Sequence, residues 1–240
     1  MKIKQYSLSN LTAFFLLLLC NQIVLASTFL PDFNQYKNTQ QKKKSFFAYL
    51  SPLAQKANKA VLLDRQRLLT LQQINKSEFN QKDTQWLSHI ATRYRVKKQD
   101  IKSMLNALLM KVDAIPSALL LVQAANESAW GTSRFAKQGN NLFGQWCYRL
   151  HCGIVPLQRG KGKTNEVQTF NSPIDSINAY IFNLNSNNSY KALRVLRAKL
   201  HQQSKPISAI ALAQGLLHYS ERGAAYVHDI KTMIHNNNLE

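Results

Sequence analysis

Residues 116–146, PSALLLVQAANESAWGTSRFAKQGNNLFGQW, are the stretch from which the rest of the chain is best read. Pro116 suits the first turn of a helix, where its missing N–H is not needed. Leu119, Leu120, Leu121, Val122, Ala124 and Ala125 then form an apolar run without breakers. Such a run predicts a helix buried on most sides rather than a surface helix. Gly131 marks its expected end. Glu127 therefore falls in the last turn of a buried helix, beside Trp130. The negative end of the helix dipole and apolar neighbours both disfavour its ionised form, so a raised pKa is expected there. A carboxyl group that keeps its proton near neutrality suits general acid catalysis. The competing reading is a solvated residue at a fraying helix end.

The residues around Glu127 bear on that choice. ESAWGTS followed by GNNLFG closely resembles the signature of bacterial glucosaminidase domains, glycoside hydrolase family 73, which hydrolyse peptidoglycan and share a lysozyme-like fold. The resemblance implies that Glu127, matching the Glu of E-S-x-W-G-x-S, is the catalytic acid. It also implies that Asn141, Leu142, Phe143 and Gly144, matching N-L-F-G, open the substrate cleft, with Trp130 and Trp146 among the groups that bind substrate.

Working outward, residues 1–26 read as an address. Lys2 and Lys4 precede an apolar core from Leu11 to Leu19, and Val24-Leu25-Ala26 offers small residues for a signal peptidase. A secretory signal cleaved after Ala26 is the first reading. An uncleaved anchor and a lipoprotein through Cys20 are the rivals. Cleavage removes two basic residues and no acid. It takes the chain from 31 basic against 12 acidic side chains to 29 against 12, a net charge of +17. That charge implies an anionic partner. In an exported protein a cell-wall matrix or outer-membrane surface fits better than nucleic acid. No second stretch has the roughly 20 apolar residues needed to span a bilayer.

Cleavage also leaves two cysteines, Cys147 and Cys152 in CYRLHC, for which a disulfide is the default in an exported protein. Zinc bound through these two and His151 is the alternative, but no second Cys/His pair completes a site. No cofactor and no metal are expected, and the protein is expected to be a monomer.

Residues 28–45 are rich in Gln, Asn and Lys and read as a solvated lead-in. Pro52 is expected to open a long helix reaching about Ile74. Helices carrying Trp86, Leu87, Ile90, Ala91 and Tyr94, and then Ile101, Met104, Leu105, Leu108 and Leu109, follow in register. After Gly144 the helical period stops. Short β-favouring pieces at Gly153–Leu157 and Glu166–Phe170 suggest a small hairpin lobe. Ser172-Pro173-Ile174-Asp175 starts a helix with an N-cap, a proline at N1 and an acid at N3. Further helices are expected near 189–201, 207–218 and 223–236. FFAYLSPLAQKAN, LLDRQRLL and SPIDSINAYIFNLNSNNSYKALR resemble segments of Bax-type bacterial glucosaminidase proteins. The organisation expected is a signal peptide over 1–26, a basic lead-in and helical extension over 27–80, and a glucosaminidase domain over 81–237. The fold expected is mainly α, an α+β lysozyme-like helical core with a β-hairpin lobe across a substrate cleft.

Among the twelve carboxylates, Glu127, Glu166 and Glu221 are the serious candidates for chemistry. The family resemblance makes Glu166 the match for a second acid on the β-lobe. The plainer reading is a solvated residue paired with Lys161 or Lys163. Tyr219-Ser220-Glu221-Arg222-Gly223 with Tyr226 resembles the family's C-terminal tyrosine motif and implies Tyr219 in the active site, with Tyr226 expected among the substrate-binding groups. The commoner Y-A-T-D form is departed from, which leaves the role of Glu221 open. The expected reaction is hydrolysis of a β-1,4 bond in peptidoglycan with Glu127 as acid. Either Glu166 activates water or the substrate's acetamido group attacks, supported by Tyr219. A non-catalytic wall binder and a lytic transglycosylase are the rival functions.

Overall fold

The structure is a computed structural model and describes residues 29–97 and 100–240. The signal-peptide reading of residues 1–26 lies outside the described residues. The fold is mainly helical with one small antiparallel sheet, as expected. Among the described residues no helix is long and apolar enough to cross a membrane.

The longest element departs from expectation. Helix α1 spans Thr39–Gln73, capped by the Asn38 side chain, so the lysine run at the end of the lead-in is helical and Pro52 lies inside the helix. An internal proline removes a backbone bond and typically costs about 3 kcal/mol. The offset lies in packing: Phe46, Leu50, Ala54 and Ala57 recur at helical spacing and are all buried. These four join α4 (Ser117–Ser128), α6 (Pro173–Ser186), α8 (Ala209–Ala213) and α9 (Ala224–Asn236) in the main core. Farther along α1, Leu68 and Leu71 enter a second cluster with α2 (Gln81–Arg93) and α3 (Ile101–Lys111). One helix, about 50 Å long at 1.5 Å per residue, thus belongs to both cores.

The approach to α4 is fixed by buried polar bonds. Asn58 of α1 donates to the Ile115 carbonyl at 2.7 Å and accepts from the Ile115 N–H at 3.0 Å. Asp113 is buried, with one carboxylate oxygen 3.4 Å from the Arg197 guanidinium and 2.6 Å from His201 Nε2. Arg197, on α7 (Lys191–Gln202), is 1% exposed and also donates to the carbonyls of Ala114 and Lys111. Burial lowers its pKa to about 10, against the opposing pull of Asp113, so it remains charged at neutral pH.

The lobe has three strands rather than the two expected. They are β1 (Trp146–Cys147), β2 (Gly153–Ile154) and β3 (Glu166–Gln168), in the order β1-β3-β2. Trp146 faces Val167 and Gly153 faces Gln168 across the two antiparallel pairs. A strand of two residues has no detectable period, so β1 could not be read from sequence. Cys147 and Cys152 form the expected disulfide, with a Cα–Cα distance of 6.2 Å.

Candidate active site

Helix α4 ends at Ser128, earlier than Gly131, and the chain leaves it through three successive residues with positive φ: Ala129, Trp130 and Gly131. Ser128 organises this exit. Its buried hydroxyl donates to the Ala124 carbonyl at 2.6 Å and accepts from the Gly131 N–H at 2.8 Å. Gly131 has φ +76, and a Cβ there would meet Phe33 at 2.6 Å, so both conformation and space require glycine. Ser128 and Gly131 of the E-S-x-W-G motif therefore serve to turn the chain immediately after Glu127. The following short helix, α5 (Arg134–Gly139), is capped by Ser133.

Glu127 is half-buried and borders a groove of about 650 Å³. Its Oε1 accepts from the Tyr226 hydroxyl at 2.8 Å and from Asn126 Nδ2 at 3.1 Å. Oε2 takes no hydrogen bond from the described residues. Behind Tyr226 runs a buried relay. Gln123 Nε2 donates to the Tyr226 hydroxyl at 2.9 Å, and Tyr180 donates in turn to Gln123 Oε1. Gln123 is the one polar side chain in the 119–125 run and stands one turn before Glu127. That position is the sequence signal by which it could have been found. Burial, reinforced by the charge of Glu127, raises the pKa of Tyr226 far above the usual tyrosine range. It therefore stays a hydrogen-bond donor, as does Tyr180, raised by burial in the same way.

One face of α6 forms a long side of the groove. Ala179, Tyr180, Phe182, Asn183 and Ser186 all border it, a helical stripe. Phe143 stacks on Tyr180 with ring centroids 3.9 Å apart and planes 12° apart. The Tyr219 hydroxyl donates to the Phe143 carbonyl at 3.2 Å, and the Tyr219 ring stacks on Tyr226 at 5.3 Å. Trp146 and Tyr148 border the groove from the lobe and are 47% and 76% exposed.

The residues named from sequence thus divide. Glu127, Phe143, Trp146 and Tyr219 border the groove. Tyr226 is 2% exposed and reaches the site only through Glu127. Asn141 is also buried. Its amide donates to the carbonyls of Gln145 and Gln168, and its oxygen accepts from the N–H groups of Phe143 and Gln145, so it shapes the N-L-F-G turn. Trp130 packs edge-on against Phe46 and Phe47 of α1, under Lys43, and is not among the groove-bordering residues.

Glu166 is not solvated, and among the described residues it forms no ion pair with a lysine. It is 3% exposed, with Oε2 accepting from the Gly153 N–H at 2.8 Å and Oε1 from the His151 N–H at 3.2 Å. The Gly153 bond is the chief cause of a lowered pKa, and its carboxylate is spent on closing the disulfide loop. It does not border the groove. Glu221 is exposed. Gln123, Tyr180, Tyr190 and Arg95, none of them singled out from sequence, complete the relay and the groove walls.

Comparison with known proteins places the chain in a family. The chain is 33% identical over 213 residues to Protein bax of Escherichia coli (strain K12), covering 88% of this chain and 75% of that protein. No solved structure matches it significantly. Residues 102–239, which include Glu127, Asn141, Phe143, Tyr219 and Tyr226, match the glucosaminidase family, described as mannosyl-glycoprotein endo-beta-N-acetylglucosaminidase, and the chain belongs to that family.

Proposed function

We propose that the protein is a peptidoglycan hydrolase, an endo-β-N-acetylglucosaminidase with Glu127 as its general acid. The observation that carries this reading is the state of that carboxylate. One oxygen is held by the buried Tyr226 hydroxyl at 2.8 Å, while the other takes no bond from the described residues at the edge of an aromatic-walled groove. A proton donor must be held in position yet keep one oxygen available, and this arrangement meets both needs. Sugar rings suit the walls made by Tyr180, Phe143, Trp146 and Tyr219. The Cys147–Cys152 disulfide supports action outside the reducing cytoplasm, in the periplasm or cell envelope.

Glu127 is the one acid bordering the groove among the described residues. Glu166, with both oxygens engaged by backbone N–H groups, is poorly available to activate water. The proposed sequence therefore has Glu127 protonate the glycosidic oxygen while the acetamido oxygen of the substrate attacks the anomeric carbon. Water then opens the cyclic oxazolinium ion at the anomeric carbon and gives its proton to the Glu127 carboxylate, which restores the acid. The Tyr219 proton is committed to the Phe143 carbonyl, but its oxygen can still accept, which suits the acetamido N–H. A one-acid groove also favours a second reading, a lytic transglycosylase. The test is digestion of purified peptidoglycan by the protein, followed by mass spectrometry. Reducing N-acetylglucosamine ends support hydrolysis, anhydro ends support transglycosylation, and no cleavage at all overturns both.

A further inference from the structure

Two arginines stand close together where α2 ends, and they are employed differently. Arg93 pairs with Asp64 at 4.0 Å and lies over the rings of Tyr94 and Phe182, 5.6 and 5.8 Å from their centroids. Arg95 is exposed and borders the groove, and among the described residues no carboxylate, carbonyl or ring engages its guanidinium.

The backbone beneath Arg95 is nevertheless held. Arg95 has φ +54, in the left-handed region favoured by glycine rather than arginine. Its N–H donates to the Thr92 carbonyl at 3.1 Å, and the next N–H, of Val96, donates to Ala91 at 2.8 Å. The Lys111 ammonium donates to the carbonyls of Tyr94 at 2.8 Å and Arg95 at 3.3 Å. Tyr94 is 1% exposed and packs edge-on against Phe182, itself a groove residue, with centroids 5.4 Å apart. Buried neighbours thus fix where the side chain starts, and the described residues leave its charge unspent.

The charge of the groove gives that side chain a use. Among the described residues, Glu127 and Arg95 are the acid and the cation on its rim, and the others that border it are aromatic, apolar, amide, hydroxyl or glycine. A neutral saccharide would be satisfied by the rings and by Gln145, Gln168 and Asn183. The guanidinium is a planar fork of donors that matches a carboxylate bidentately. We infer that Arg95 is a specificity residue, selecting a glycan that carries carboxylates over a neutral β-1,4 polymer of N-acetylglucosamine. The carboxylate is borne on the sugar as an acidic ether or on an attached peptide. The inference rests on the groove being a glycan site. Because α2 precedes residues 102–239, this selectivity comes from chain outside the family match.

The test measures equilibrium binding, so it does not depend on turnover. Soluble peptidoglycan fragments, and the same fragments with their carboxyl groups amidated, are titrated into wild-type protein, Arg95→Gln and Arg95→Lys. Wild type is expected to prefer the carboxylated form by about tenfold. Arg95→Gln should abolish the preference, Arg95→Lys should retain part of it, and raised salt should weaken it in wild type. An unchanged melting temperature checks that Arg95→Gln folds. Equal binding of the two fragment sets by wild type, or a preference that survives in Arg95→Gln, overturns the inference. Absence of cleavage products with the binding preference intact counts instead against the enzymatic reading alone.

Discussion

Glu127 and Glu166 were equivalent as letters: each was a carboxylate flagged by a family motif near glycines and aromatics. The folded chain gives them opposite employment. Glu127, at the end of a helix buried on nearly every side, borders a groove with one oxygen unbonded among the described residues and the other held by a tyrosine. Glu166, on a lobe of three short strands, is the more deeply buried of the two and has both oxygens occupied by backbone N–H groups. The contrast teaches that burial alone does not separate two candidate acids. What matters is which hydrogen bonds the burial leaves unmade.

That contrast can be attacked most directly at Glu127. Glu127→Gln keeps size and shape but removes the transferable proton, so peptidoglycan cleavage should fall by about 10² to 10⁴-fold with the melting temperature nearly unchanged. If more than a tenth of wild-type cleavage survives in purified variant, another group is the acid. Tyr226→Phe addresses the alignment. It deletes the donor to Oε1 and strands Gln123 Nε2, and should lower kcat by about tenfold or somewhat more, some 1.4 kcal/mol of barrier per tenfold. KM should move less. A loss confined to KM would mean that Tyr226 positions substrate and not the acid.

Glu166→Gln should cost less than tenfold, because it loosens the lobe without touching the reacting bond. The amide sets its own N–H₂ against a backbone donor, so hydrogen exchange across residues 147–168 should speed up. The same bonds give wild type an acid sensitivity. A carboxylate whose folded pKa is depressed contributes its stability above its ordinary value, near 4.5, and loses it as pH falls through the lower folded value. Lobe exchange in wild type should therefore accelerate below about pH 4.5, and Glu166→Gln should lack that step. A near-complete loss of activity rescued by azide, with inversion at the anomeric carbon, would make Glu166 the base and break the comparison. The smallest effect is expected from reducing Cys147–Cys152. So short a loop contributes only about 2 kcal/mol, and activity should fall about two- to threefold as Trp146 loses its footing. A collapse of global stability would show that the lobe is not a local unit.

Much of the fold was legible because its helices carry strong signals. The apolar run before Glu127, the Ser-Pro-Ile-Asp start of α6 and the spacing of Tyr226, Val227, Ile230 and Ile234 on α9 each declare a helix and its buried face. Pro52 misled because its local preference, a helix start, was outweighed by the burial of Phe46, Leu50, Ala54 and Ala57 on both sides of it. Strand β1 was too short to show a period, and it pairs with residues some twenty positions later.

By itself, then, the sequence determined that this is a mainly helical chain, that Glu127 ends a buried helix and that two cysteines close a short loop, because each of these depends on neighbours within a few residues. Only the tertiary structure decided which polar groups are spent and which remain available. It brings Tyr226 across 99 positions to Glu127, turns Trp130 onto α1, seals Glu166 beneath the Gly153 and His151 N–H groups, and leaves Arg95 at the groove unpaired among the described residues. A hydrogen bond is made or missed over a few tenths of an ångström. Groups far apart in the chain reach that accuracy only when the whole core has packed around them.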